Sequence, residues 1–308
     1  MMLVEEAGLQ QLLNTLREDL EQHIQRRIHG RSDRFLIQRA ILGGKRLRPL
    51  LLLVTFKALN GEDYEKALDV ACALELAHSA SLMHDDILDL DYRRRGELSI
   101  WRHIGVGKAL LQGHRIINFA FETVLEKGIE LARIFVEAWD KASKGILNEV
   151  LLGRDISEEL YLLIIREKTA SLFEAATESA AVLAGVDEQA KYLVKQYGVE
   201  VGTAYQLADD LVDSLRNKRY GGVMFLMQDF KERFLKALIA SKTGKFSTLV
   251  KAFSPKHPSE EFIIRQVAYR ISKARQLASS GLIPDNPYKE ALKQLPLYFI
   301  TQMLREKV

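Results

Sequence analysis

Two acidic clusters share one spacing. Asp85, Asp86 and Asp89 read D-D-I-L-D, and Asp209, Asp210 and Asp213 read D-D-L-V-D. Each lies in an apolar, helix-like stretch, HSASLMHDDILDLDY for the first and VGTAYQLADDLVDSL for the second. On a helix, positions i and i+4 share a face, so Asp85 stacks with Asp89 and Asp209 with Asp213. Asp86 and Asp210 sit about 100° round the axis. Carboxylates crowded on a greasy helix repel one another and lose hydration when buried. A divalent cation removes that cost. An all-oxygen donor set suits Mg²⁺, which keeps several waters and shares phosphate oxygens with a substrate. The six aspartates are therefore candidate metal ligands, and two such patches suggest two jaws closing on one polyphosphate. Leu82, Met83, Ile87 and Leu88 surround the first triplet and Leu207, Ala208, Leu211 and Val212 the second. That setting predicts largely buried helices whose acids face a cleft, rather than solvated acidic faces.

A metal-bound polyphosphate also needs fixed cations. Gly43-Gly44-Lys45-Arg46-Leu47-Arg48-Pro49 places three cations on a turn entering a helix, where glycines let backbone N–H groups approach an anion. Arg93, Arg94, Arg95 and Gly96 follow the first acidic cluster closely, either to face the same anion or to pair with the aspartates. Lys168-Thr169 lies within the helical pattern EKTASLFEAA.

Helices must position these groups. Leu9, Leu12, Leu13, Leu16 and Leu20 recur at helical steps, as do Tyr161, Leu162, Ile165, Leu172 and Phe173. Proline is absent from Leu50 to Ser254, and strand-like alternation is hard to find. Breaks fall at Gly30-Arg31-Ser32, Gly43-Gly44, Asn60-Gly61, Gly96, Gly153, Gly185-Val186-Asp187, Gly221-Gly222 and Ser254 to Pro258, with Ser157 and Asp187 as helix starts. The expectation is an all-α fold of about ten to twelve helices, a single bundle domain over residues 1–308.

Composition narrows the function. The chain has 308 residues, 47% hydrophobic and 28% charged, with a formal net charge of +3. Dispersed basic residues give no footprint for nucleic acid. The longest apolar run, Leu50 to Phe56, is too short to span a bilayer. The N-terminal MMLVEEAGLQ lacks the order of a signal peptide, which predicts a cytoplasmic protein. Cys72 is the single cysteine and reads as a small core residue.

Taken together, these motifs resemble the trans-isoprenyl diphosphate synthases, which make farnesyl, geranylgeranyl and longer polyprenyl diphosphates. GGKRLRP is similar to that family's first basic motif, HDDILD to its first aspartate-rich motif, and R-R-G follows as expected. KTASLF and GTAYQLADDLVD are similar to the lysine-threonine and second aspartate-rich motifs, in the family's order. The resemblance implies an all-α fold with the two aspartate clusters facing each other across the mouth of a central cavity. It implies that Asp85, Asp86, Asp89, Asp209 and Asp213 hold up to three Mg²⁺ on an allylic diphosphate. Arg94, Lys168 and Gln206 contact that same diphosphate, and Lys45, Arg48, His78 and Arg95 hold isopentenyl diphosphate. The residue types suit the chemistry. An allylic C–O bond ionises when its leaving group is stabilised by cations. The carbocation is kept from water by an apolar wall, with the Thr169 oxygen or carbonyl to stabilise it. Four features depart from the pattern: Tyr205 replaces a usual Phe, Ile146 a frequent Gln and His114 a common Asp. The segment SLRNKRYGGVMFLMQDF replaces a glycine- and lysine-rich cover, with Lys218 or Arg219 as its lysine.

Other functions explain less. An HD-type metallophosphohydrolase would use His78, His84-Asp85 and a later Asp, but leaves the second D-D-x-x-D and the GGKRLRP turn without a role. A regulatory prenyltransferase subunit would be expected to lose acidic ligands, and both triplets are intact. A terpene cyclase needs no second diphosphate site. Ala80 and Ser81, one turn deeper than Asp85, are small, which leaves the tunnel open for a product of at least twenty carbons, with Phe119 and Phe121 as candidate floor residues. Ile116 to Glu122 is apolar on more than one side, which together with the resemblance predicts a homodimer.

Overall fold

Leu9, Leu13, Leu16, Leu20, Ile24 and Ile28 recur at three- and four-residue steps, and all are buried along helix α1 (Met2–Ile28). The same periodicity organises the rest. The structure is a computed structural model that describes residues 2–152, 157–217 and 258–307. Those residues form twelve α-helices, one π-helical turn and one two-stranded hairpin. The fold class is all-α. Spatial contacts divide the chain into two units, one of Met1–Glu137 with Ser179–Gly185 and one of Ala138–Glu178 with Val186–Val308. No helix among the described residues is long and apolar enough to cross a membrane.

The first unit is built round α4 (Tyr64–Leu88). Helices α1, α2 (Arg34–Ile41), α3 (Leu47–Ala58), α5 (Ile100–Ile104) and α6 (Val106–Lys127) pack on it. From Ala67 to Ala77 every residue of α4 is buried, as expected of a helix that is apolar all round. Asp63 caps its start by accepting a 3.0 Å hydrogen bond from the Lys66 N–H. Two buried carboxylates interrupt that run: Asp69 is met by His23 at 2.8 Å and Lys127 at 2.6 Å, and Glu75 by Arg46 at 2.8 Å. Arg46 stands just before α3 with φ of 57°, and also donates to Glu21 at 2.6 Å and to the Ile41 carbonyl at 2.7 Å.

After α4 the chain makes a hairpin, β1 (Arg93–Arg94) antiparallel to β2 (Glu97–Leu98). Strand reading of the sequence missed it because it carries no alternation of apolar residues. What makes it is the turn: Arg95 and Gly96 have φ of 52° and 83°, positive at both central positions as in a type I′ turn.

Helix α7 (Ile129–Leu152) and helix α9 (Ser171–Ala184) each contribute to both units. In the second unit α10 (Glu188–Asn217) packs on α8 (Glu158–Ile165), on a π turn (Arg166–Ala170), on α11 (Pro258–Ala278) and on α12 (Pro287–Lys307). The expected helix starts are present. Ser157 accepts from the Leu160 N–H at 3.2 Å and Asp187 from the Ala190 N–H at 2.8 Å. The expected breaks at Gly153, at Gly221-Gly222 and from Ser254 to His257 lie outside the described residues, and Pro258 is the first residue of α11.

Removing one partner of a buried pair leaves the other charge unmatched. Arg46→Ala is expected to lower unfolding free energy by about 3–5 kcal/mol, and Glu75→Gln in that background to recover part of it. Urea titration of both variants checks this; an Arg46→Ala midpoint equal to wild type would contradict it.

Candidate active site

The first acidic cluster closes α4. Asp85 and Asp86 lie in its last turn, and Asp89 is the C-cap, its backbone N–H bonded to the Asp85 carbonyl at 2.8 Å. A helix C-terminus carries partial negative charge, and no basic residue lies in the last turn of α4 to balance it. Three carboxylates there concentrate negative potential further. Burial is uneven, contrary to the sequence expectation: Met83 is buried, yet Leu88 and Leu90 are 59% and 65% exposed. The helix ends at Leu88, and Leu90 follows it with a positive φ of 54°. Asp86 alone of the three is buried, and it is ion-paired with Arg94. Burial pushes the Asp86 carboxyl up and Arg94 opposes that shift.

The cations of the first unit divide by role. Arg46 turns inward to Glu75 and Glu21, so the anion-binding turn presents Lys45 and Arg48 but not the third cation that the sequence places there. Arg48 donates from Nη1 to His78 Nε2 at 2.9 Å. Arg95 lays its side chain on Gly43, where an added Cβ would come 3.3 Å from its Cδ, and donates to the Leu42 carbonyl at 2.9 Å. Gly43 has φ of +67°, which only glycine adopts readily. Burial, then the cations of Arg48, Arg95, Arg94 and Arg46, hold the His78 imidazole well below its usual value. His78 is therefore neutral, and its Nε2 accepts. Lys45, Arg48, His78, Asp85, Asp86, Asp89, Arg94 and Arg95 thus belong to one unit.

The second unit brings together Lys168, Thr169, Gln206, Asp209, Asp210 and Asp213. Lys168 and Thr169 sit in the π turn, where one extra residue per turn re-aims side chains. Two glycines let neighbouring helices reach that turn. An added Cβ would lie 2.9 Å from the Lys168 Cα at Gly145 of α7, and 2.8 Å from the Ala170 Cα at Gly202 of α10. Lys168 donates to Glu149. Thr169 Oγ1 donates to Gln206 Oε1 at 2.8 Å, Gln206 Nε2 to Asp210 Oδ1 at 2.7 Å, and the Tyr161 hydroxyl to Asp210 Oδ2 at 2.7 Å. Burial pushes the Asp210 carboxyl up, and Tyr161 and Gln206 oppose it. Asp209 and Asp213 are half-buried, one turn apart on α10.

Sequence reasoning missed Glu149 and Tyr161. Tyr161 was legible only as an apolar step in YLLII; a phenol among aliphatic residues is the clue, since a buried hydroxyl needs a partner. Among the described residues no three His, Cys, Asp or Glu side chains converge as a ready ion site. The histidines of the phosphohydrolase reading serve other contacts: His78 meets Arg48, while His84 packs on Gly113 and reaches the Leu110 carbonyl at 3.4 Å. His114 sits beside it, ring centroids 5.2 Å apart. Phe119 lies under the Arg31 guanidinium at 4.1 Å, and Phe121 meets Phe135. Tyr205 packs on Phe173. Lys218 and Arg219 lie outside the described residues.

The polyprenyl synthetase family model matches residues 34–249. A geranylgeranyl pyrophosphate synthase of Geoglobus acetivorans is 31% identical over 286 residues, 84% of this chain and 86% of that protein. An octaprenyl diphosphate synthase of Haemophilus influenzae is 28% identical over 277 residues, 82% and 83% of the two chains. A polyprenyl synthase from Caulobacter crescentus, complexed with calcium and isoprenyl diphosphate, aligns with TM-score 0.71 and 26% identity, covering 95% of this chain and 96% of that one. A geranylgeranyl pyrophosphate synthetase from Pyrococcus horikoshii aligns with TM-score 0.73 and 26% identity, covering 94% and 98%. The chain belongs to the polyprenyl synthetase family and is a prenyltransferase of isoprenoid biosynthesis.

A neutral native His78 has a consequence for stability. Below its ordinary value of 6.5 the unfolded chain takes up a proton that the folded chain refuses. Stability is therefore full above that value and lost as pH falls toward the depressed one, with a slope approaching about 1.4 kcal/mol per pH unit. His78→Gln is expected to remove that share of the slope. Unfolding free energies of both proteins between pH 5 and 7 measure it, and parallel profiles would show the assignment to be wrong.

Proposed function

We propose that this chain condenses isopentenyl diphosphate with an allylic diphosphate, releasing pyrophosphate and a trans-polyprenyl diphosphate of at least twenty carbons. The observation that carries the reading is how the diphosphate-binding residues expected from the motifs meet one another: Arg48 on His78, Arg95 over Gly43, and Thr169 on Gln206. The named relatives make geranylgeranyl and octaprenyl chains, which supports a long product.

The donor chemistry fits Mg²⁺. All candidate donors are carboxylate oxygens, and the first set crowds the negative end of α4 with no basic residue in the turn. Asp85 and Asp89 from the first motif, with Asp209 and Asp213 from the second, would hold the ions. The bound ion supplies charge neutralisation of the departing diphosphate. The calcium and isoprenyl diphosphate bound by the Caulobacter crescentus protein agree with this ligand chemistry.

The residues then divide the work. Lys168 and Gln206 would contact the allylic diphosphate, as would Arg94, which Asp86 steadies within its own unit. The allylic C–O bond breaks with its electron pair leaving on the diphosphate. Lys45, Arg48, Arg95 and neutral His78 hold isopentenyl diphosphate so that its double bond attacks the allylic carbon, forming one C–C bond. The proton lost on restoring a double bond passes to the released pyrophosphate. Thr169 turns oxygen, not a proton, to the cation, because its hydroxyl proton is directed at Gln206.

Asp85→Ala and Asp209→Ala are each expected to lower turnover by about 10²–10³ while the protein stays folded. Product analysis with Mg²⁺ and both substrates checks this, and near-wild-type turnover in either variant refutes the metal assignment. The same analysis reads chain length. Ala80 is fully buried and Ser81 donates to the His78 carbonyl, both without bulk. Wild type is expected to pass fifteen carbons and Ala80→Phe to stop earlier; a fifteen-carbon wild-type product defeats the open-floor reading.

A homodimer is part of the proposal. Most apolar side chains of Ile116–Glu122 face inward, but Leu111 on α6 and Ile129 on α7 are 67% and 70% exposed, with Leu125 and Val136 also exposed. Such apolar surface suits a second copy. Sedimentation at micromolar concentration is expected to give twice the chain mass, and an active monomer would overturn it.

A further inference from the structure

We infer that Tyr161 is a positioning residue that holds Gln206 and Thr169 through Asp210, and that Asp210 anchors this hydrogen-bond chain instead of donating to a metal ion. The inference rests on the prenyl-transfer reading for the roles of Gln206 and Thr169. Its geometry stands in the second unit by itself.

The chain has a direction. Asp210 is its terminal acceptor, taking the Tyr161 hydroxyl on Oδ2 and the Gln206 amide on Oδ1, each at 2.7 Å. An ionised carboxylate only accepts, so Gln206 must present its NH₂ to Asp210. Its carbonyl oxygen is then turned to Thr169, which donates to it at 2.8 Å. Each link fixes the next. The Gln206 amide cannot rotate by 180° without setting oxygen against oxygen at Asp210. The Thr169 hydroxyl cannot turn its proton elsewhere without leaving Gln206 Oε1. What Thr169 has left to offer a neighbouring cation is therefore its oxygen lone pairs.

Asp210 also differs from its neighbours by direction on the helix. Asp209 and Asp213 share one face of α10, while Asp210 lies about 100° away, on the side that meets Tyr161 of α8. Tyr161 itself packs against the apolar cluster of Ile165, Leu207 and Leu211, which orients its ring. Both Asp210 oxygens already have protein donors, whereas magnesium sites rely on carboxylates turned toward water and phosphate. Asp86 in the first unit behaves alike, buried against Arg94. In each motif the second aspartate serves the protein's own groups.

Mn²⁺ bound in the presence of an allylic diphosphate analogue with sulfur in place of the bridging oxygen provides a readout separate from turnover. Wild type, Tyr161→Phe, Asp210→Asn and Asp209→Asn are compared by electron paramagnetic resonance and by steady-state kinetics. Tyr161→Phe and Asp210→Asn are expected to bind the wild-type number of Mn²⁺. Their kcat should fall about 10–100-fold, as for other outer residues that orient a site. Their KM for isopentenyl diphosphate should stay within about twofold. Asp209→Asn is expected to lose bound Mn²⁺. Loss of Mn²⁺ from Asp210→Asn to the same extent overturns the inference, as does a wild-type kcat in Tyr161→Phe. The latter variant keeps both ring and carboxylate, so it decides the matter if Asp210→Asn does not fold. A wild-type protein that forms no prenyl product defeats the functional reading, and the Mn²⁺ count still decides the role of Asp210.

Discussion

Like charges gathered in a partly dry place must each be given a partner, and this constraint shapes the rest of the molecule. Helix α4 ends in three aspartates at the end where its own carbonyls are already negative. Arg94 takes one of them. Asp89, the C-cap at the helix tip, is exposed. Carboxylate oxygens at the negative end of a helix are donors of the kind a hard cation prefers.

The cations obey the same constraint from the other side. Four arginines lie near enough to His78 to depress its protonation. Arg46 is neutralised by Glu75 and Glu21, which makes it a fixture of the α3 entrance. Arg95 is steadied by the Leu42 carbonyl and by contact with Gly43. A neutral imidazole among these groups adds a hydrogen-bond acceptor without adding a charge. These pairings let several guanidinium groups lie close together.

In the second unit the same problem has a different solution. Asp210 is matched by a phenol and an amide, where Asp86 is matched by a guanidinium. A phenol and an amide satisfy the Asp210 oxygens without cancelling its charge. The π turn places Lys168 and Thr169 where Gly145 and Gly202 allow two helix backbones to approach. Small residues in α7 and α10 thus set how closely neighbouring helices approach the turn between α8 and α9.

Much was readable from the chain alone. The spacing of Leu9 to Leu20 predicts α1, the Ser157 and Asp187 side chains mark helix starts, and the two D-D-x-x-D motifs with GGKRLRP and KTASLF point to the family. These features are local, written by periodicity and capping within a few residues. Tertiary structure decided the rest. It turned Arg46 inward, because Glu75 lies 29 positions on and only packing brings them together. It ended α4 at Leu88 and left Leu90 in solvent. It made a hairpin from residues without alternation, because positive φ at Arg95 and Gly96, not hydrophobicity, reverses the chain. It separated the aspartates of one motif, sending Asp210 to a tyrosine 49 positions earlier. Sequence spacing says which side chains share a helix face; which neighbour each face meets depends on how distant helices pack.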